Sequence, residues 1–233
     1  MKKQDKNQKL KKKRHPKIVK PIKDQNVLND VMNCLLHDFD CGERNYMIFE
    51  VGKATMLRIS DLMNLKKSDV YLTDDDGNLK REVQINAYTR DIKTGKNNVL
   101  YLEPIELELL NYYDYLKNFE TKYPTKKVFS SKWLFPSFTK PEKPITTHRY
   151  YLIMQKVGKK LGINYLGTHT CRKTGAWDVY EQSGHDIALV MDLLKHSSEK
   201  ITLKYLGLDQ EHKENVLRQI NFGSLNWRFN AKD

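Results

Sequence analysis

Four side chains within residues 168–205 have the types and spacing to do chemistry together: His169, Arg172, His196 and Tyr205. A phenol beside imidazoles and a guanidinium suits attack on a phosphate, because tyrosine oxygen is a useful nucleophile only where its anionic target is electrostatically neutralised. His169 and Arg172 are three residues apart at the start of a predicted helix, so both project from one face. The free amides of that helix end favour an anion. His196 lies between two predicted helices in Leu194-Lys-His-Ser-Ser, and Tyr205 follows nine residues later. Taken singly, each has an ordinary explanation as a helix-end charge or a packing aromatic. The sequence around them holds no metal-ligand cluster and no glycine-rich phosphate loop.

The elements that must position these groups are mostly helical. Residues 24–39 place Val27, Leu28, Val31, Met32, Leu35 and Leu36 on one face; Gly42 breaks the pattern, and 45–56 reads as a second, buried helix. Ser60 is the expected N-cap of a short helix buried through Leu62 and Leu65, with Arg58 at the corner before it. From Ser68 the period changes to two, and 69–72, 82–88 and 98–102 read as three strands of one small antiparallel sheet. Lys93 and Lys96 sit in the second turn, with Gly95 between them. Helices are then predicted over 104–119, 148–161, 169–183, 186–194, 198–206 and 210–220, with Trp133-Leu-Phe anchoring a proline-rich loop at 120–147. The fold class is α+β, mainly α-helical.

Charge is unevenly placed. The 233 residues include 41 Lys and Arg against 29 Asp and Glu, a formal net charge of +12. Through Lys23 there are ten Lys, one Arg and a single Asp5, giving +10; the remainder has 30 basic against 28 acidic residues, giving +2. The composition predicts a disordered arm over 1–23 that finds a polyanion in a salt-sensitive way. Cys34, Cys41 and Cys171 are odd in number and lack CxxC spacing, which points to reduced thiols in a cytoplasmic protein rather than a disulfide frame or zinc site. No apolar run reaches bilayer-spanning length, so no membrane partner is expected.

As an ordered set, Arg58 in LRISDLMNL, Lys93 in Lys-Thr-Gly, His169-x-x-Arg172, His196 in LKHSS and Tyr205 resemble the tyrosine recombinases, the phage integrase family. The resemblance runs from about Leu28 to Leu208. It implies a DNA breaking-rejoining fold over 24–208 and a catalytic set of Arg58, Lys93, His169, Arg172, His196 and Tyr205, with Tyr205 as nucleophile and Asp61 as the acidic residue that commonly follows the first arginine. Lys96 is the other candidate for the hairpin lysine and a DNA contact. The chemistry so implied forms a 3′-phosphotyrosyl bond without metal, ATP or other cofactor. Lys195 stands where glycine is usual, Cys171 and Lys173 replace the common Leu and His, and Tyr101 replaces a frequent Pro; none of these removes a catalytic group.

The implied partners are double-stranded DNA, a homotetramer on paired sites, and accessory DNA-bending proteins. The rivals are a type IB topoisomerase, which tends to carry Lys where His169 stands, and a catalytically silent DNA-binding accessory protein. Only the basic arm and one helix precede Asn45, so the chain resembles the compact single-domain members that lack a separate clamping domain. The C-terminal segment 209–233, with Phe222, Leu225, Trp227 and Phe229, is expected to pack either on its own domain or on a neighbouring protomer. In the arm, Lys11, Lys12, Lys13 and Arg14 are the expected phosphate contacts. Deleting residues 1–22 is expected to weaken DNA binding and flatten its salt dependence, by about 0.9 in the log-log slope per lost contact. Titrations at several salt concentrations measure this, and an unchanged slope overturns it.

Overall fold

The computed structural model describes residues 19–93, 95–208 and 210–220, the side chains at 210–212 and 215 excepted. Its first helix, α1 (Gln25–His37), starts where Asp24 accepts hydrogen bonds from the amides of Asn26 and Val27 at 2.8 and 3.0 Å. Leu28, Val31, Met32 and Leu35 bury the predicted face. Helix α2 (Gly42–Thr55) is enclosed through Met47, Ile48, Phe49 and Val51 and begins three residues earlier than its sequence pattern suggested, with Gly42 inside the helix rather than breaking it.

Helix α6 (Thr170–Gln182) crosses α2 at glycine on both sides. A Cβ on Gly175 would lie 1.9 Å from the Lys53 carbonyl oxygen, and one on Gly52 would lie 2.7 Å from Cys171 Sγ. The two backbones therefore touch, and this contact sets the distance between whatever follows α2 and whatever begins α6.

The expected three-stranded sheet is instead two separate ribbons. β1 (Tyr71–Thr73) pairs with β2 (Leu79–Val83), and β3 (Asn86–Arg90) pairs with β4 (Asn97–Tyr101), both antiparallel. The run at 82–88 turns a corner at Gln84, whose amide donates to Val70 O (2.8 Å) while its side chain donates to Ser68 O and Tyr71 O (2.9 and 3.1 Å). Those bonds hold the corner residue to β1, and β3 leaves in a new direction.

Helices α3 (Ile59–Met63), α4 (Glu106–Lys122), α5 (Thr147–Lys160), α7 (Ile187–Leu194), α8 (Glu199–Leu206) and α9 (Gln210–Gln219) complete the described elements. The loop between α4 and α5 is fixed by buried Leu134 and Phe135 and by Lys67, whose ammonium donates to the carbonyls of Val128 (2.9 Å), Phe129 (3.0 Å) and Ser131. One large core joins α1–α5 and the ribbons; a smaller one, of Met56, Ala176, Val190, Leu194 and Leu206, lies between α6, α7 and α8.

The packed fold also reaches back beyond Asp24. Ile22 is buried, its amide donates to Thr174 Oγ1 at 3.0 Å, and the Lys23 ammonium sits 3.5 Å from the Trp177 ring centroid. Val19 presses on Gly167, where a Cβ would meet it at 2.7 Å. Residues 19–23 therefore form a strap along α6, and a truncation meant to remove only arm charge must stop at residue 18. Lys11 to Arg14 and Phe222 to Phe229 lie outside the described residues. Gly175→Ala is expected to force α2 and α6 apart and destabilise the domain by about 1–3 kcal/mol, read as a lower midpoint in denaturant unfolding.

Candidate active site

Arg172 stands in the first turn of α6 and is 6 % exposed. One terminal nitrogen donates to the Met56 carbonyl and the other to the Leu194 carbonyl at 3.0 Å. Met56 closes α2 in the left-handed region (φ 49°), and Leu194 is the last residue of α7. Both carbonyls belong to helix ends, whose last acceptors have no partner in their own helix. Arg172 thus fastens two helix termini while keeping further N–H groups for an anion. Burial lowers its pKa, and the Tyr205 phenol opposes that shift.

Arg58 is itself the N-cap of α3, in place of the expected Ser60, with extended backbone angles (φ −64°, ψ 146°). Its guanidinium pairs with buried Asp91 at the base of the β3–β4 hairpin. One turn into α3, Asp61 Oδ1 accepts from the amide of Ile92 at 3.0 Å. Its Oδ2 is buried without a hydrogen-bond partner among the described residues, and burial raises this carboxyl. Two adjacent hairpin residues are therefore tied to α3. Lys93 follows directly and Lys96 stands in the opposite arm; both are exposed, and neither lines the cleft between hairpin and α7.

That cleft, about 270 Å³, is lined by Arg58, Asp91, Asn97, Arg172, Leu194 and Lys195 among others. His169 is the N-cap residue of α6 and makes no side-chain capping bond. Burial lowers its pKa, aided by Arg172, Lys173 and Arg58. His196 Nδ1 lies 3.1 Å from Thr202 Oγ1, and that hydroxyl donates onward to Ser198 O at 3.4 Å. This arrangement leaves Nδ1–H as the donor to Thr202 and frees Nε2. Burial, Arg172 and Arg58 lower His196 as well.

The Tyr205 ring meets His196 edge-on at 5.2 Å and 79°. The Arg172 guanidinium carbon is 6.0 Å from its centroid, and the Lys173 ammonium is 4.5 Å away. Lys173 also donates to the Tyr205 carbonyl at 3.0 Å, which anchors the end of α8. The phenolic oxygen is buried with no hydrogen-bond partner among the described residues. Burial pushes the phenol up to about 12, against the pull of Arg172.

Five of the six expected catalytic residues thus converge: Arg58, His169, Arg172, His196 and Tyr205. The hairpin lysine does not join them. Asp91, Lys173, Lys195 and Thr202 were not assigned roles by sequence reasoning, although Lys173 and Lys195 stood out as departures from the family pattern. Among the described residues, no three His, Cys, Asp or Glu side chains stand together as a metal site, and no helix is long and apolar enough to cross a membrane.

The lowered histidines predict a pH dependence. Their folded pKa values lie below the usual value of about 6.5, so the unfolded chain binds more protons between the two. Their contribution to stability is present above pH ~6.5 and is lost as pH falls through the folded values. The melting temperature of the DNA-free protein is expected to drop in that window, and to drop less for H169Q/H196Q; equal slopes would contradict the assignment.

The phage integrase family matches residues 24–212. A probable integrase/recombinase, YoeC, of Bacillus subtilis (strain 168) is 30 % identical over 195 residues, covering 83 % of this chain and 92 % of that protein. The tyrosine recombinase XerD of Bradyrhizobium diazoefficiens is 28 % identical over 184 residues, but this chain spans only 52 % of its length. Among solved structures, XerA recombinase aligns with TM-score 0.58 at 23 % identity, over 88 % of this chain and 66 % of that one. A XerH recombinase–difH post-cleavage complex aligns with TM-score 0.56 at 19 % identity, over 86 % and 53 %. The structural likenesses show the shared fold, and with the sequence matches they lead to one statement. The chain belongs to the phage integrase family, the tyrosine recombinases.

Proposed function

We propose that this chain is a site-specific DNA recombinase in which Tyr205 cleaves a strand and holds it as a 3′-phosphotyrosyl ester. The observation that carries this reading is the buried, unpartnered phenol beside His196 and Arg172, at the point where Arg58 and His169 also converge. In the reaction, a scissile phosphate takes the place of the Asp91 carboxylate on Arg58. Arg172 directs its remaining N–H groups at the same phosphate, since a planar fork matches paired oxygens. The anionic phosphate favours the imidazolium form of His196, whose Nε2–H then donates to a non-bridging oxygen as charge gathers in the transition state.

The Tyr205 oxygen then bonds to phosphorus, and the bond from phosphorus to the 5′-oxygen breaks. The phenolic proton passes to His169, whose burial favours the neutral form that can accept it. The departing 5′-oxygen takes a proton from the hairpin lysine, Lys93 in preference to Lys96, which must swing into the groove once DNA is bound. Attack by another strand's 5′-hydroxyl reverses these steps and reseals the backbone. Phosphodiester energy is kept in the tyrosyl ester, so the cycle consumes no ATP. The arm residues Lys11, Lys12, Lys13 and Arg14 would add phosphate contacts, and strand exchange between two sites calls for four protomers.

The test is trapping of covalent DNA on nicked duplexes built from the DNA flanking the coding sequence. Wild type should form an adduct that survives denaturation and forms equally in chelator, whereas Tyr205→Phe should form none. Absence of adduct from both proteins refutes the reading. Relaxation of supercoils by the isolated chain, with no exchange between two sites, would instead place it with the type IB topoisomerases.

A further inference from the structure

The residue joining the two halves of the site is Lys195, which holds a backbone conformation that suits glycine. It closes α7 at φ 53° and ψ 43°, with its amide on Asp192 O (2.8 Å) and the next amide, of His196, on Met191 O (3.0 Å). This paired closure normally ends in glycine, because a Cβ is disfavoured in the left-handed region. The lysine is retained against that strain, and its side chain crosses the cleft to donate to the carbonyl of Asn97, 98 residues away in sequence. Strain kept at a functional site asks for a reason.

The location of Asn97 supplies one. It is the first residue of β4 and pairs in register with Arg90, next to Asp91. The hairpin is already tied to α3 through Asp91 on Arg58 and Ile92 on Asp61. Those ties fix it to the Arg58 half only. Lys195 ties it to the other half, since its own backbone lies between Leu194, which accepts from Arg172, and His196. We infer that Lys195 is a positioning residue: it latches the base of the β3–β4 hairpin to the end of α7, and so fixes the point from which the hairpin lysine, outside the cleft in this structure, swings to the leaving oxygen beside Tyr205. This rests on the recombinase reading above. The latch is a single exposed hydrogen bond. General acid catalysis needs the donor within about 2.6–3.2 Å of the oxygen it protonates, and a displacement of about 1 Å lowers rates on the order of 100-fold.

The test uses the full chain and a duplex carrying the cleavage site recovered from the trapped adduct, made with oxygen or sulfur as the bridging 5′ atom. Sulfur departs as a thiolate and needs no general acid, as the thiol pKa of about 8.5 indicates. K195G should raise the melting temperature by about 2 °C or more, by relieving the left-handed strain. It should nevertheless cleave the oxygen duplex about 10- to 100-fold more slowly, with unchanged DNA affinity, and cleave the sulfur duplex at the wild-type rate. K195N, which also tolerates the left-handed backbone, should behave likewise, and K195R should recover most of the loss.

Wild-type cleavage of the oxygen duplex by K195G would overturn the proposal and leave Lys195 a helix terminator. Equal losses on both duplexes with weaker binding would overturn it in favour of a direct phosphate contact. If wild type itself forms no adduct, the recombinase reading falls and takes the latch with it, an outcome distinct from any loss confined to K195G.

Discussion

The guanidinium of Arg172 is enclosed between the ends of α2 and α7, where Met56 and Leu194 present carbonyls that their own helices cannot satisfy. Removing it would strand two buried acceptors, at about 1–3 kcal/mol each, and would release both helix ends. The next residue repeats the device, since Lys173 donates to the Tyr205 carbonyl near the end of α8. One turn of α6 therefore gathers three helix C-termini, whose negative dipole ends favour the cations placed there. The Arg58 corner follows α2 directly, and Tyr205 rides on α8, so both reach the site through bonds made by α6. Those bonds hold only because Gly175 lets α6 lie on the α2 backbone.

The electrostatics of the site are consistent with this architecture. Burial raises the Tyr205 phenol and lowers the two imidazoles, while Arg58 is balanced by Asp91. Under the proposed reaction each group is held where charge would develop. A phosphate arriving in the cleft meets donors already oriented by helix ends, so reorganisation during the chemical step is small. The unpartnered phenol is the counterpart of that arrangement. Its oxygen faces the Arg172 guanidinium, which opposes the upward shift that burial imposes on the phenol.

Local signals in the sequence carried most of the helices. Asp24 and Asp186 cap α1 and α7 as their types suggest, the apolar face of α1 follows its spacing, and His169 and Arg172 share the start of α6 because they are three apart. Contacts between distant segments were not legible. Gln84 breaks a strand pattern through bonds to Ser68 and Tyr71, which no alternation of residue types announces. Asp91 lies 33 residues from Arg58, and nothing near either one marks the pair. Ile22 sits in a stretch that reads as part of a charged arm, yet its burial against Thr174 is decided by a helix 152 residues away. Lys195 was visible only as a lysine where glycine is usual.

The two cores give the split sequence motif a physical meaning. Arg58 and the hairpin stand on the larger core, whereas His196 and Tyr205 stand on the smaller one formed by Met56, Ala176, Val190, Leu194 and Leu206. Besides the strap of Ile22 on Thr174, three links join these bodies near the site: the glycine crossing, the Arg172 clamp on Met56, and the reach of Lys195 to Asn97. The first is backbone contact that side-chain motion cannot relax, so it fixes the spacing of the halves. The second is buried, and breaking it would expose stranded carbonyls, so it fixes their orientation. The third is solvent-facing and can exchange with water at little cost. It is therefore the most readily broken of the three.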